Sequence, residues 1–199
     1  MELAYFPPLS EFRKCLQTNP LVFSTAQPFR KNGFQNRAFI PAANGLICLT
    51  VPVKGGREVK ASMKEVKIDN AQQWQTRHWR TLTAAYGRSP WFEYYEPSLK
   101  PFYHTLYSEL VDWNIDLIRW LLTMLGSGIP VTTNLEDAAQ ENAEIGSIIR
   151  TSTFQHHPFS THLPVYTQVF SDKIGFQPNV SILDLLFNEG KRSLSLLHS

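Results

Sequence analysis

Alternating strand-like and helix-like segments predict an α/β protein: a Rossmann-like mixed sheet with two long helices inserted after the N-terminal strands. Three observations carry this expectation. Short β-branched and aromatic runs fill the first quarter of the chain, at PLVFST (20–25) and RAFIPAANGLICLTVPV (37–53). From Asn70 the apolar spacing changes to a helical period and stays so through most of residues 70–126. A further strand-like run, IPVTTN (129–134), follows the second helix.

The elements follow in order. LAYFPP reads as a short strand ended by Pro7 and Pro8. Leu9, Phe12, Cys15 and Leu16 are spaced as one helix face. PLVFST lies between Asn19-Pro20 and Gln27-Pro28, which bound it as a strand. In the 37–53 segment, Asn44-Gly45 supplies a tight hairpin turn. Its second arm, LICLTVPV, is apolar enough to read as an internal strand, with Pro52 marking an edge or bulge. A charged loop and a short strand, Val66-Lys67-Ile68, come next.

Trp74, His78, Leu82 and Ala85/Tyr86 form a helical stripe stopped by Gly87. SPWFEYYEP reads as an aromatic connector. The second long helix is expected from Ser98, as N-cap, to Gly126, with Pro101 in its first turn. Asn114 falls on its apolar stripe and is expected to find a partner inside the protein. Residues 135–149 are polar and weakly helical, and 153–170 read as a Pro- and His-containing loop. SILDLLFNEG (181–190) reads as a capped amphipathic helix.

Composition bounds the rest. A chain of 199 residues with 43% hydrophobic residues can bury a real core, and one domain over 1–199 is expected. A net charge of +2 gives no ground for a nucleic-acid partner. No apolar run approaches the ~20 residues that span a bilayer. Cys15 and Cys48 lack a metal-ligand spacing, and the polar start has no signal-peptide core. A reduced, cytoplasmic setting is therefore the expectation.

The sequence contains no P-loop, GxGxxG, HExxH or GxSxG motif. KGGR (54–57) lacks a following helix and reads as an exposed turn. His156, His157 and His162 lack a completing ligand, so no metal is assigned. His78 is open to two readings: a core histidine satisfied by a backbone carbonyl, or a neutral base lining a cleft. Arg37 is either a surface arginine at a sheet end or a fixed guanidinium for an anion. Ser181, Asp184 and Asn188 share one helix face, yet Ser-x-x-Asp also resembles a capping box. Ser181 is expected to cap, whereas Asp184 and Asn188 could also face a ligand.

Taken together, YFPP, QNR (35–37), LTVPVKGG, VKID, WQTRHWRTLTAAYGRSPWFEYY, WLLTMLG and GFQPNVSILDLLFNEG resemble the WbqC-like family of bacterial proteins. The resemblance covers most of the chain. It departs where larger members carry Gln before the aromatic-Pro motif, here Leu3-Ala4, and in the short polar stretch 127–147. Tyr5, Pro7, Asn36, Arg37, Trp74, His78, Tyr86, Ser181, Asp184 and Asn188 sit at motif positions. The family is named for a member encoded with O-antigen genes. The resemblance therefore implies a bacterial, cytoplasmic enzyme of surface-polysaccharide or related biosynthesis. The expected chemistry is group transfer to or from an activated, phosphate-bearing sugar or acyl donor. His78 and Asp184 are the catalytic candidates. Tyr5, Asn36, Arg37, Trp74, Tyr86, Ser181 and Asn188 are the substrate-binding candidates. Cofactor and oligomeric state stay open. The alternative is a non-catalytic binding or assembly module using an aromatic surface at residues 90–97, with Trp91, Phe92, Tyr94 and Tyr95.

Overall fold

The computed structural model describes residues 2–30, 33–55, 61–134 and 163–198. Helix α1 (Leu9–Leu16) buries the expected face of Leu9, Phe12, Cys15 and Leu16. Strand β1 (Leu21–Ser24) pairs in parallel with β4 (Val131–Asn134), from Leu21 opposite Val131 to Ser24 opposite Asn134. Strands β2 (Arg37–Ala42) and β3 (Gly45–Thr50) form the expected antiparallel hairpin, with Gly45 at φ 120° in the turn.

The mixed α/β composition holds, but the described strands form two two-stranded sheets rather than one Rossmann-like sheet. Beyond these two pairs, pairing among the described residues is limited to four isolated bridges: Val53 with Ile68, Lys67 with Glu109, Pro8 with Ser181 and Pro28 with Ser62. Pro52, which has no N–H, interrupts the ladder where β3 would continue. Strand β3 is also not internal. Ile47 and Cys48 are exposed and Leu49 is buried, so its apolar run is an edge strand facing solvent along part of its length.

Helix α2 (Trp74–Tyr86) buries the predicted stripe of Trp74, His78, Leu82, Ala85 and Tyr86. The segment expected as one long helix from Ser98 is divided. Helix α3 (Phe92–Leu99) contains Ser98 and begins inside the expected aromatic connector. A 3-10 turn at Lys100–His104 follows, and α4 (Leu110–Leu125) starts after Glu109. Tertiary pairing causes the break: Ile68 N donates to Ser108 O at 2.8 Å and Leu110 N to Val66 O at 3.0 Å. Ser98 is not an N-cap; its hydroxyl donates to Tyr95 O and accepts from Trp120 Nε1, each at 3.0 Å. Asn114 finds its expected interior partner, donating to Gln35 O at 2.7 Å.

The chain closes with α5 (Ser171–Ile174), α6 (Ile182–Glu189) and α7 (Arg192–His198). Gly190 ends α6 at φ 58°, and a Cβ there would fall 2.5 Å from the Trp91 ring. No described helix is long and apolar enough to cross a membrane.

The two ends of the chain clasp each other. Leu9 N donates to Val180 O (3.1 Å) and Ile182 N to Pro7 O (2.9 Å), while Ser181 N reaches Phe39 O on β2 (2.8 Å). Asn179, at φ 56°, accepts the Ser10 amide of α1 on its Oδ1 at 2.8 Å. This side chain satisfies one of the orphan donors that any helix start leaves open.

Asn179→Ala therefore loses a cap and places Ala in the left-handed region, an expected cost of ~2 kcal/mol. Asn179→Gly keeps the backbone and should cost less. Urea unfolding of both variants checks the order; equal losses would mean that the left-handed backbone contributes nothing.

Candidate functional site

Asp184 stands in the first turn of α6 and is 1% exposed. Ser181 sets that turn: its hydroxyl accepts the Leu183 amide at 3.3 Å and donates to Phe6 O at 3.1 Å. The carboxylate Oδ2 accepts from Tyr166 Oη at 2.7 Å and from Gln168 Nε2 at 2.8 Å. Gln168 is held in turn by Gln177, whose N–H donates to Oε1 (2.7 Å) and whose carbonyl accepts from Nε2 (2.9 Å). That pairing fixes which end of the amide faces the carboxylate.

Oδ1 of Asp184 is buried and makes no hydrogen bond with a described residue, and neither does Tyr86 Oη. The Tyr86 hydroxyl nonetheless lies near enough to pull the carboxyl pKa downward, together with Tyr166 and Gln168. Burial outweighs these donors and raises Asp184 from 3.8 to about 6. Burial also lifts Tyr86 and Tyr166 well above the usual phenol range, with the Asp184 charge adding to it. Both therefore stay neutral hydroxyls around a carboxyl that titrates near neutrality.

A second cluster surrounds His78, which is 6% exposed. Its Nδ1 lies 3.0 Å from Tyr5 Oη, which lies 2.9 Å from Tyr103 Oη. The Trp74 ring meets the imidazole edge-on at 5.2 Å. Burial lowers His78 to about 4; a ring N–H bonded to the Thr50 backbone opposes the fall, and Arg77 adds to it. With that N–H assigned to Nε2, Nδ1 is an acceptor. Tyr5 then donates to His78 and Tyr103 to Tyr5, a tautomer fixed by the network.

The two clusters lie on one buried stripe of α2. His78 and Tyr86 are eight residues apart, which is ~12 Å along a helix. No hydrogen bond joins His78 to Asp184.

The other candidates are distributed between them. Asn36 Nδ2 donates to Val51 O at 2.8 Å and braces the base of the β2–β3 hairpin. Arg37 is half-buried at the start of β2, opposite Thr50, and no ion pair among the described residues holds it. Asn188 turns back along its own helix to donate to the Asp184 main-chain carbonyl at 2.8 Å, so of its face only Asp184 joins the carboxylate cluster. In the aromatic stretch at 90–97, Phe92 and Tyr95 are buried, which leaves Trp91 and Tyr94 as its exposed rings. His156, His157, His162, Gly56 and Arg57 lie outside the described residues. Among the described residues no group of three His, Cys, Asp or Glu side chains could hold a metal.

Sequence reasoning missed Tyr166, Gln168 and Tyr103. Tyr166 and Gln168 are two residues apart in a segment without regular secondary structure, and that spacing would put both on one side of an extended chain. Nothing local marks Tyr103.

The model of the WbqC-like protein family matches residues 4–152. The chain belongs to this family. Within the WbqC-like span lie Tyr5, Asn36, Arg37, Trp74, His78 and Tyr86, while Asp184 and its partners Tyr166 and Gln168 fall beyond its end. The chain is also similar to a Mycobacterium tuberculosis protein described as Uncharacterized protein Rv1507c, 27% identical over 190 residues. That alignment covers 81% of this chain and 80% of the relative. No solved structure matches.

The two buried groups make opposite contributions to pH stability. His78, depressed from 6.5 to about 4, contributes stability that is present above 6.5 and lost as pH falls towards 4. Asp184, raised from 3.8 to about 6, contributes stability that is present below 3.8 and lost as pH rises through 6. Between about 4 and 6 they offset each other. Asp184→Asn should therefore destabilise more steeply on acidification than wild type, by ~3 kcal/mol across the window. His78→Gln should shift the profile the other way. Chemical unfolding from pH 4 to 7 reads both; parallel profiles for all three proteins would contradict the assigned shifts.

Proposed function

We propose that this WbqC-like protein is a group-transfer enzyme with Asp184 as its general base. The donor is an activated, phosphate-bearing small molecule, sugar or acyl. The observation that carries the reading is a buried carboxyl raised to about 6, with Oδ2 held by Tyr166 and Gln168 and Oδ1 outside hydrogen-bond geometry, though the Tyr86 hydroxyl lies near enough to pull the pKa down. A base that titrates near the working pH combines proton affinity with availability of the ionised form. Oδ1 takes the proton of an acceptor hydroxyl or amine as that atom bonds to the transferred carbon. The donor's carrier leaves with the bonding electron pair. Tyr166 and Gln168 fix the carboxylate and keep its second oxygen directed.

In this reading His78 is a positioning residue. Both ring nitrogens are engaged and its pKa of about 4 makes it a weak base, but its bonds tie α2 to Tyr5 and to β3. Arg37, Trp74, Tyr86 and Asn36 shape the surroundings. A place in surface-polysaccharide biosynthesis, in the bacterial cytoplasm, is the setting such a donor chemistry fits. A second reading, a binding or assembly module, draws on Trp91 and Tyr94. These rings are 38% and 61% exposed and meet edge-on at 6.0 Å.

The test is turnover of acyl-thioester and nucleotide-sugar donors, followed by release of free thiol or nucleoside diphosphate. Asp184→Asn should lower the rate ~100-fold or more with the fold retained. The wild-type rate should fall below pH 6 as the carboxyl protonates. Wild-type turnover in a folded Asp184→Asn variant would remove the base assignment. Loss of partner capture in Tyr94→Ala, with no turnover in any variant, would favour the second reading.

A further inference from the structure

A cleft of about 530 Å³ runs between the tip of the β2–β3 hairpin and the C-terminal half of α2. Its lining includes Ala42, Leu46, Arg80, Ala84, Ala85 and Phe170. The size falls within the range of small-molecule sites, and alanines on both walls leave its floor smooth and apolar.

Charge gives this cleft a sign. Helix α2 holds Arg77 and Arg80 and contains no carboxylate along its length. Arg77 is bonded to the neutral Gln72 Oε1 at 3.3 Å, and Arg80 enters none of the ion pairs among the described residues. An exposed guanidinium at the rim of an apolar cleft matches an anion attached to an apolar body.

The polar inventory narrows the class further. Arg80, Thr81 and Asn44 are the polar side chains of the lining, and the Thr81 hydroxyl is already donated to Arg77 O at 2.9 Å. A buried sugar ring brings several hydroxyls, each of which loses water and needs a protein partner. This lining does not supply them. An aliphatic chain needs none.

We infer that this cleft binds a phosphate-bearing acyl thioester, with its phosphate at Arg80 and its acyl chain along Ala42, Ala84, Ala85 and Phe170. The inference deepens the transfer reading by choosing the acyl over the sugar donor. None of Asp184, Tyr86, Tyr166 and Gln168 lines the cleft, and the chain alone connects the two. Ala85 precedes Tyr86, and Phe170 follows Gln168 by two residues.

Calorimetric titration tests it with octanoyl-CoA and with UDP-N-acetylglucosamine as probes. Wild type should bind octanoyl-CoA and not the nucleotide sugar. Arg80→Gln should weaken binding ~10-fold or more, as expected for the loss of a charge-assisted contact. Ala84→Trp, on an exposed helix position, should abolish binding with the melting temperature unchanged. Asp184→Asn should bind octanoyl-CoA as wild type does, so failure of the base assignment stays separable from failure here. Binding of the nucleotide sugar alone, binding of neither probe, or octanoyl-CoA affinity insensitive to both cleft variants would each overturn the inference.

Discussion

The clasp between residues 5–10 and 179–182 is the constraint on which the rest of the structure depends. Neither segment is a strand of useful length, and each satisfies the other's backbone. Leu9 and Ile182 donate across it, Asn179 caps α1, and Ser181 accepts and donates at the start of α6. The clasp also supports an unfavourable backbone. Phe6 is fully buried at φ 42°, a conformation that costs a non-glycine residue ~1–2 kcal/mol. Such strain persists where surrounding contacts over-determine it, and the Ser181 hydroxyl on Phe6 O is one of them.

From that point the two buried polar clusters diverge. On one side, Tyr5 precedes the strained Phe6 and reaches His78 and Tyr103. On the other, Ser181 fixes the first turn of α6 and so aims Asp184 at Tyr166 and Gln168. Helix α2 passes both, contributing His78 to the first and Tyr86 to the second. The clusters share a scaffold without sharing a hydrogen bond. Each buries a titratable group in its neutral-favouring direction, which is why their effects on acid stability offset.

Much of the local structure was legible because it follows from period and punctuation. The stripe from Trp74 to Tyr86, the face of α1 and the Asn44-Gly45 turn are one-dimensional patterns, and the structure keeps them. What failed depends on distant partners. No local pattern tells that Val66 and Ile68 will pair with residues 108–110 and split the helix expected from Ser98. An apolar strand looks internal until one knows what covers it, and β3 is only partly covered. The site was half legible for the same reason. Spacing put Ser181, Asp184 and Asn188 on one face, but Asn188 bonds its own helix, while the groups that tune Asp184 come from 166–168 and from α2.

The central claim is that burial holds the Asp184 carboxyl near neutrality while neutral donors keep it in place. Its most direct test is a carbon-detected NMR titration of the side-chain carboxyl in the folded protein, assigned by comparison with Asp184→Asn. The account predicts a midpoint of about 6. A midpoint at the ordinary value of 3.8 would show a solvated or fully compensated carboxylate, and would remove the raised pKa that singles it out as the base.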